Sequence, residues 1–275
     1  MTQSPSTKPN DHATDQAAHR LLHAAETRTP CPPVRDLIGA SDVDAAYAVQ
    51  ERLTAARLAG GATIVGRKIG LTSPAVQAQL GVDRPDFGVL FDDMDATGDG
   101  RIRAGRLLQP KVEAEIAFVL GADLVDGDLG PGQVRDAVAY AVAALEIVDS
   151  RIAGWDITFG DTVADNASSG MFVLGTDRVA LTDFSPVSVE MELTLNGHVV
   201  STGTGAACLG DPLAALAWLA HAAREHGRPL RAGQVVLSGA LGPMVAVAPG
   251  DTVDATLTGL GTVDATFDIP KGDSA

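Results

Sequence analysis

The sequence predicts an α+β fold, with a small helical N-terminal lobe followed by a sheet-rich body. Two observations carry this reading. Apolar residues recur at helical spacing in the first 60 positions, whereas from residue 61 short β-rich runs alternate with Gly, Asp and Pro. Those runs are joined mostly by hairpin signals, which disfavours a doubly wound parallel sheet.

Taken in order, residues 1–15 are polar and read as a disordered tail, residues 16–60 as the helical lobe and residues 61–275 as the main domain. A helix is expected from Gln16 to Ala25, broken by Pro30, Pro32 and Pro33. Ser41 can cap a second, from Asp42 to Leu58, with Ala45, Ala46, Val49, Leu53 and Ala56 on one face and Gly60-Gly61 ending it. Strands are expected at 62–69, 111–120, 171–174, 187–195, 199–203, 234–238, 252–257 and 262–269. Asn196-Gly197 is the pair a type I′ hairpin turn needs, because both positions take φ > 0. Gly259-Leu260-Gly261 joins TVDATL to TVDATF in the same way. Helices are expected at Pro131–Leu145, where proline suits a first turn, and at Pro212–His226.

Composition narrows the function. A chain of 275 residues, 45% apolar, buries a sizeable core, and with 4% aromatics the packing falls to Ala, Val and Leu. The formal charge of −15, from 20 basic and 35 acidic side chains, opposes binding to nucleic acid or an anionic membrane surface. It also opposes an anionic small substrate, whose site would need local positive charge such as a metal ion. Cys31 and Cys208 form no disulfide framework and no metal spacing. The first residues lack the apolar run of a signal peptide, and no stretch approaches ~18 consecutive apolar residues. A cytoplasmic protein is expected. No G-x-G-x-x-G follows a strand, no H-E-x-x-H is present among the histidines, and no G-x-S-x-G marks a serine nucleophile.

The carboxylates are more informative. In QPKVEAEIAFVL, Glu113 and Glu115 are two residues apart and project from the same face of a strand. Two like charges at that distance repel unless a cation lies between them, and hard cations such as Mg²⁺ or Mn²⁺ prefer oxygen ligands. A half-buried strand with glutamates on its wet face has the same pattern, and Glu190 and Glu192 repeat the spacing. Glu146, in AVAALEIVDSRI, stands in an apolar run where a carboxylate needs either a metal or a base such as Arg151.

Several segments then occur in a familiar order: GRKIGLTSPAVQAQLGVDRPDFGVLFDDM, QPKVEAEIAF, ALEIVDSRI, DTVADNASSGMFVLG, NGHVVSTGTGAACLGDPLAALAWLA and LSGALGPMVAVAPGD. Together, from about residue 40 to 268, they resemble the 2-keto-4-pentenoate hydratase and 4-oxalocrotonate decarboxylase family of the fumarylacetoacetase superfamily. The resemblance implies a core of mixed, rolled β-sandwich type and a homo-oligomer, with possible association with a sister pathway enzyme. It implies a metal, Mg²⁺ or Mn²⁺, on an E-x-E…E trio that falls on Glu113, Glu115 and Glu146, leaving Glu190 and Glu192 as solvated strand residues.

The lysine of GRKIG is Lys68 and the aspartate of RPDFG is Asp86, and the resemblance places both in the active site. Lys68 in an apolar strand needs an anionic partner, either a substrate carboxylate or a nearby acid. Asp86 follows a proline, where aspartate is also a turn former. Ser169 in DNASSG, and Ser238-Gly239 in LSGALGPM, are expected to contact substrate, the glycine letting the backbone come close. The implied reaction is hydration of a 2-hydroxydienoate to a 4-hydroxy-2-oxo acid. Alternatives are decarboxylation of 4-oxalocrotonate, hydrolysis of an acylpyruvate, or a non-catalytic subunit that stabilises a partner enzyme.

Overall fold

Two β-sheets carry the chain from residue 64 onward, and a computed structural model describes residues 10–73, 77 and 84–270 of it. The larger sheet runs β2 (Asp86–Phe91), β1 (Ile64–Gly70), β9 (Val235–Leu237), β4 (Lys111–Leu120), β5 (Val138–Val148) and β6 (Ser169–Leu174). The short β10 (Val245–Ala246) pairs with the first two residues of β4. The smaller sheet runs β3 (Arg101–Ile102), β12 (Gly261–Phe267), β11 (Thr252–Leu257), β7 (Glu190–Leu195) and β8 (His198–Thr204). Pairings are antiparallel except β1 with β9 and β3 with β12. The Asn196-Gly197 turn joins β7 to β8 with φ of 52° and 79°, as a type I′ turn requires.

The faces of the larger sheet have different fates. Val112, Ala114, Ile116 and Phe118 of β4 join Ala143, Leu145 and Ile147 of β5 in one core with Val253, Ala255 and Leu257 of β11. Helix Pro212–Glu225 packs on the same core through Leu213, Leu216 and Leu219. Each fully buried large side chain there contributes about 1.5–3 kcal/mol. The opposite face carries Glu113, Glu115 and Glu146 beside a smaller cluster of Ala117, Val142, Ala144, Phe172 and Leu237. Segment Gly205–Glu225 has the length and hydropathy of a membrane span. Its α-helical part has 14 residues, about 21 Å against a hydrocarbon core of ~30 Å.

The lobe is formed by α1 (Asp11–Thr27), α2 (Arg35–Ile38) and α3 (Val43–Ala59), with Ala17, Leu21, Ala46 and Val49 packed on Phe159 and Val163. Two boundaries differ from expectation. Helix α1 starts at Asp11 and not at Gln16, because Arg52 of α3 pairs with Asp11 and Asp15 and so ties the first turn down. The remainder of the expected tail, residues 1–9, lies outside the described residues. Asp42, not Ser41, caps α3, its carboxylate accepting from the N–H of Ala45 at 3.0 Å.

The larger correction concerns residues 131–145. Only α4 (Pro131–Ala137) is helical, and VAYAVAALEIV becomes β5, buried between β4 and β6. Its alanines favour helix locally, but a central strand covered on both faces needs thin, apolar side chains, and the tertiary context wins. Strand β2 also replaces the turn expected at Asp86, which pairs with Gly70 across the ladder.

Candidate active site

The β4–β5 register builds the acidic centre. Glu113 and Glu146 are direct partners across the ladder, and Glu115 follows two residues on, on the same face. Oxygens of the three carboxylates lie within 4.8 Å of one another. Glu115 and Glu146 have no exposed surface. Glu190 and Glu192 stand exposed on β7 and meet none of these conditions.

Lys68 reaches this centre from β1. Its Nζ lies 3.0 Å from Glu146 Oε1, with both side chains nearly inaccessible. Burial alone would lower the ammonium's pKa, but Glu146, Glu113, Asp86 and Glu115 outweigh it and hold the pKa above its ordinary value. Asp86 lies over Gly70, where any Cβ would overlap its Oδ1. Burial pushes its carboxyl up to about 6, with Lys68 pulling down and Glu146 pushing up. Glu113 is pushed up to about 7 by burial and then by Glu146, and Glu115 is held well above the carboxylate range by burial, Glu146 and Glu113.

The backbone finishes the arrangement. After β9 ends at Leu237, the chain turns beside β4, and the N–H of Gly239 donates to Glu115 Oε2 at 2.7 Å. Gly239 has φ +102°, and a Cβ there would overlap Thr72. Ser238 supports this turn: its hydroxyl accepts from the N–H of Ile116 at 3.3 Å and donates to the carbonyl of Gly239 at 3.2 Å. The Cys208 thiol donates to that carbonyl too, at 2.8 Å. Ser169 sits against Gly88, the register partner of Lys68, and donates its hydroxyl to the Asn166 carbonyl at 2.8 Å.

Two other acids of the DTVADNASSG segment hold it in place. Asp165 accepts from the backbone N–H and Nε of Arg151 and from the Ser150 hydroxyl. Arg151 is therefore committed to Asp165, and the base beside Glu146 is Lys68. Asp161 accepts from the N–H groups of Val34, Arg35 and Thr158 and from the Arg35 guanidinium, which fastens the lobe to the helix Phe159–Ala164 that precedes β6.

The residues fit a hard divalent cation. Among the described residues Glu115 Oε1 and Glu146 Oε2 are buried oxygens with no hydrogen-bond partner, and Asp86 Oδ1 is another. Unpartnered buried carboxylate oxygens are costly, and a single ammonium cannot neutralise Glu113, Glu115, Glu146 and Asp86 together. A donor set made only of carboxylate oxygens suits Mg²⁺ or a similar ion better than a soft metal.

Sequence reasoning overlooked Lys111. It shares the Glu113 face of β4, and its Nζ stacks 4.2 Å above the Trp155 ring, whose Nε1 donates to the Gln109 carbonyl. Both residues line a cavity of about 470 Å³ with Leu107, Leu108, Val247 and Phe267. The two-residue spacing from Glu113 was the available signal; Trp155, distant in sequence, left none.

The chain is similar to known proteins in sequence and in fold. The Fumarylacetoacetate (FAA) hydrolase C-terminal family matches residues 65–268. A protein of Dechloromonas aromatica named 2-keto-4-pentenoate hydratase 2 is 55% identical over 260 residues, 94% of this chain and 99% of that one. A 2-keto-4-pentenoate hydratase of Burkholderia vietnamiensis is 53% identical over 259 residues, 94% of this chain and 98% of its own length. The structure of 4-oxalocrotonate decarboxylase from Pseudomonas putida G7, complexed with magnesium and adipate, superposes with a TM-score of 0.89 at 33% identity, covering 96% of this chain and 100% of that one. With its matched segment spanning both sheets and the acidic centre, the chain belongs to the fumarylacetoacetate hydrolase family.

Proposed function

We propose that this chain is a metal-dependent hydratase that adds water to 2-hydroxypenta-2,4-dienoate, giving 4-hydroxy-2-oxopentanoate, in the breakdown of aromatic compounds. The observation that carries this is the convergence of Glu113, Glu115 and Glu146 within 4.8 Å, two of them with orphaned buried oxygens, beside the Lys68 ammonium. Identity of 55% to a protein named for this reaction supports it.

Glu113, Glu115 and Glu146 would hold Mg²⁺ or Mn²⁺, which when bound supplies Lewis-acid stabilisation to negative charge on the substrate's 2-oxygen. The rest falls to the chain. The Lys68 ammonium, kept protonated by its acidic surroundings, is placed to pair with the substrate carboxylate. On this reading Ser169 and the Ser238-Gly239 turn would contact that carboxylate by giving up the partners they hold here, the carbonyls of Asn166 and Gly239 and the Glu115 carboxylate. Asp86, with its carboxyl near 6, is suited to take the proton from the 2-hydroxyl and return one to C5. Water then adds across the C3–C4 double bond conjugated to the new ketone, its hydroxyl to C4 and its proton to C3, so that one water is consumed per dienoate. The two sheets act on this reading as the walls of a rolled sandwich. The same reading carries a cytoplasmic homo-oligomer, able to associate with a sister pathway enzyme; the free, buried Cys31 and Cys208 suit a reducing compartment.

Decarboxylation of 4-oxalocrotonate is the second reading, favoured by the 0.89 superposition on that enzyme. One assay separates them: magnesium-dependent loss of dienoate absorbance, with the product analysed. The expected product is the 4-hydroxy-2-oxo acid without carbon dioxide. Carbon dioxide from the dioate at a higher rate selects the decarboxylase, and turnover unaffected by chelation removes the metal reading.

A further inference from the structure

Arg67 and Lys68 are consecutive in β1, so their side chains leave the sheet on opposite faces. Lys68 meets four carboxyls. Arg67 lies near Glu51 alone and does not pair with it: among the described residues it forms no ion pair, its Nη1 donates only to the carbonyl of Gly66, and its Nε has no partner. Yet Arg67 is 3% exposed. A guanidinium this buried normally has a carboxylate or phosphate against it.

What faces Arg67 is a cavity of about 320 Å³ between α3, β2 and the end of the helix Pro212–Glu225. Gln50, Phe87 and Val89 form buried walls, and the Tyr47 ring stacks on Phe87 at 4.8 Å and against His226 at 4.4 Å. The acids at the rim form no ion pair with Arg67, although Glu51 acts on its charge from a distance. Glu51 is taken by Arg228, which donates through Nε at 3.1 Å and through Nη2. Asp44 is exposed and has an interaction of its own. Arg228 adds a second positive charge; burial and then Arg228 push Arg67 down to about 10, with Glu51 pulling it up in part, which leaves it charged at neutral pH.

We propose that this cavity is a second anion site, distinct from the acidic centre, that takes a small monocarboxylic acid on the Arg67 guanidinium. The planar fork matches a carboxylate, the aromatic walls accept a short carbon chain, and the volume admits a molecule of a few carbons. One uncompensated cation behind the acidic rim of Glu51 and Asp44 suits a monoanion better than a phosphate dianion.

The test is calorimetric titration of the magnesium-loaded protein with pyruvate. Two sites per chain are expected if the acidic centre also binds the probe, and one if it does not, so failure of the proposed function leaves this test intact. Arg67→Met should abolish the site that survives chelation of the metal, or weaken it about tenfold or more, since a charge-assisted hydrogen bond is lost. It should leave dienoate turnover in place, which certifies the fold. Should that variant not fold, the ¹⁵Nε resonance of Arg67 in the unsubstituted protein must shift on adding pyruvate. The proposal falls if Arg67→Met binds pyruvate as before, if the resonance is unmoved, or if sulfate displaces pyruvate at equal concentration.

Discussion

Glu113 and Glu146 stand directly opposite one another on neighbouring antiparallel strands, inside a sheet. Like charges in that relation are destabilising, and Glu115 adds a third on the same face. The sheet is thus assembled around a repulsion that a cation or bound protons must relieve, and Lys68 relieves part of it.

Replacing Glu115 with Gln should therefore separate activity from stability. The amide oxygen still accepts from the Gly239 N–H, so the turn is kept. Magnesium-dependent turnover should fall to background, while the metal-free protein, freed of one carboxyl that burial and its neighbours disfavour in the charged form, should melt a few degrees higher, as ~1 kcal/mol implies for a chain of this size. Full turnover in this variant would end the metal hypothesis.

Lys68→Met should act on both counts. Turnover should drop ~10²-fold or more if Nζ holds the substrate or moves a proton. Without metal, breaking the pair leaves Glu146 buried and uncompensated, a loss of about 3–5 kcal/mol. Melting curves with and without magnesium check this: the deficit should be large in EDTA and small with the ion, and equal deficits in both would mean that the ion does not sit on Glu146.

The carboxyls also couple metal binding to protons. Glu113 is pushed up to about 7, Asp86 up to about 6 and Glu115 well above its usual range. Unfolded carboxyls titrate near ~4. Between those values the folded, metal-free chain holds more protons than the unfolded one, so these groups reduce its stability as pH rises from ~4 through ~7. Magnesium must displace those protons, so the rise in melting temperature that it produces should grow from pH 5 to pH 8. A rise independent of pH would mean that these carboxyls are not held protonated in the folded, metal-free chain.

How much of this was legible depends on which forces were local. The spacing of Glu113 and Glu115 and the Asn196-Gly197 turn are local, and both stand as read. Glu146 was legible only as an acid out of place in an apolar run, because its role depends on pairing across β4 and β5. The alanine run that carries it reads as helix until the strands on either side are known. Arg151 was the nearer base in sequence, but Lys68, 78 positions away, is the one that arrives. The Arg67 cavity left no pattern, since its walls come from three separated segments.

Asp161 lies in the same long-range category, and its loss should loosen the lobe without touching the acidic centre. Its buried carboxylate gathers the N–H groups of Val34 and Arg35, the Thr158 N–H and hydroxyl, and the half-buried Arg35 guanidinium. Asp161→Ala leaves those donors unsatisfied, at a cost of about 3 kcal/mol or more. Proteolysis should then cut first within residues 28–42, between α1 and α3.

Gly239→Ala tests whether the backbone sets the metal centre. The φ of +102° is unfavourable for alanine, and the new methyl group would overlap Thr72. The turn must therefore shift, and the N–H that holds Glu115 Oε2 shifts with it. Glu115 itself stays in place on β4, paired in register with Ala144. The expected result is a higher magnesium concentration for half-maximal activity, about tenfold, with turnover at saturating magnesium reduced far less than in Glu115→Gln. Thr72→Ala in the same background removes part of the overlap and should recover some of the magnesium affinity. If Gly239→Ala lowers saturated turnover as severely as Glu115→Gln while leaving the magnesium requirement unchanged, the turn acts on the substrate and not on the carboxylate.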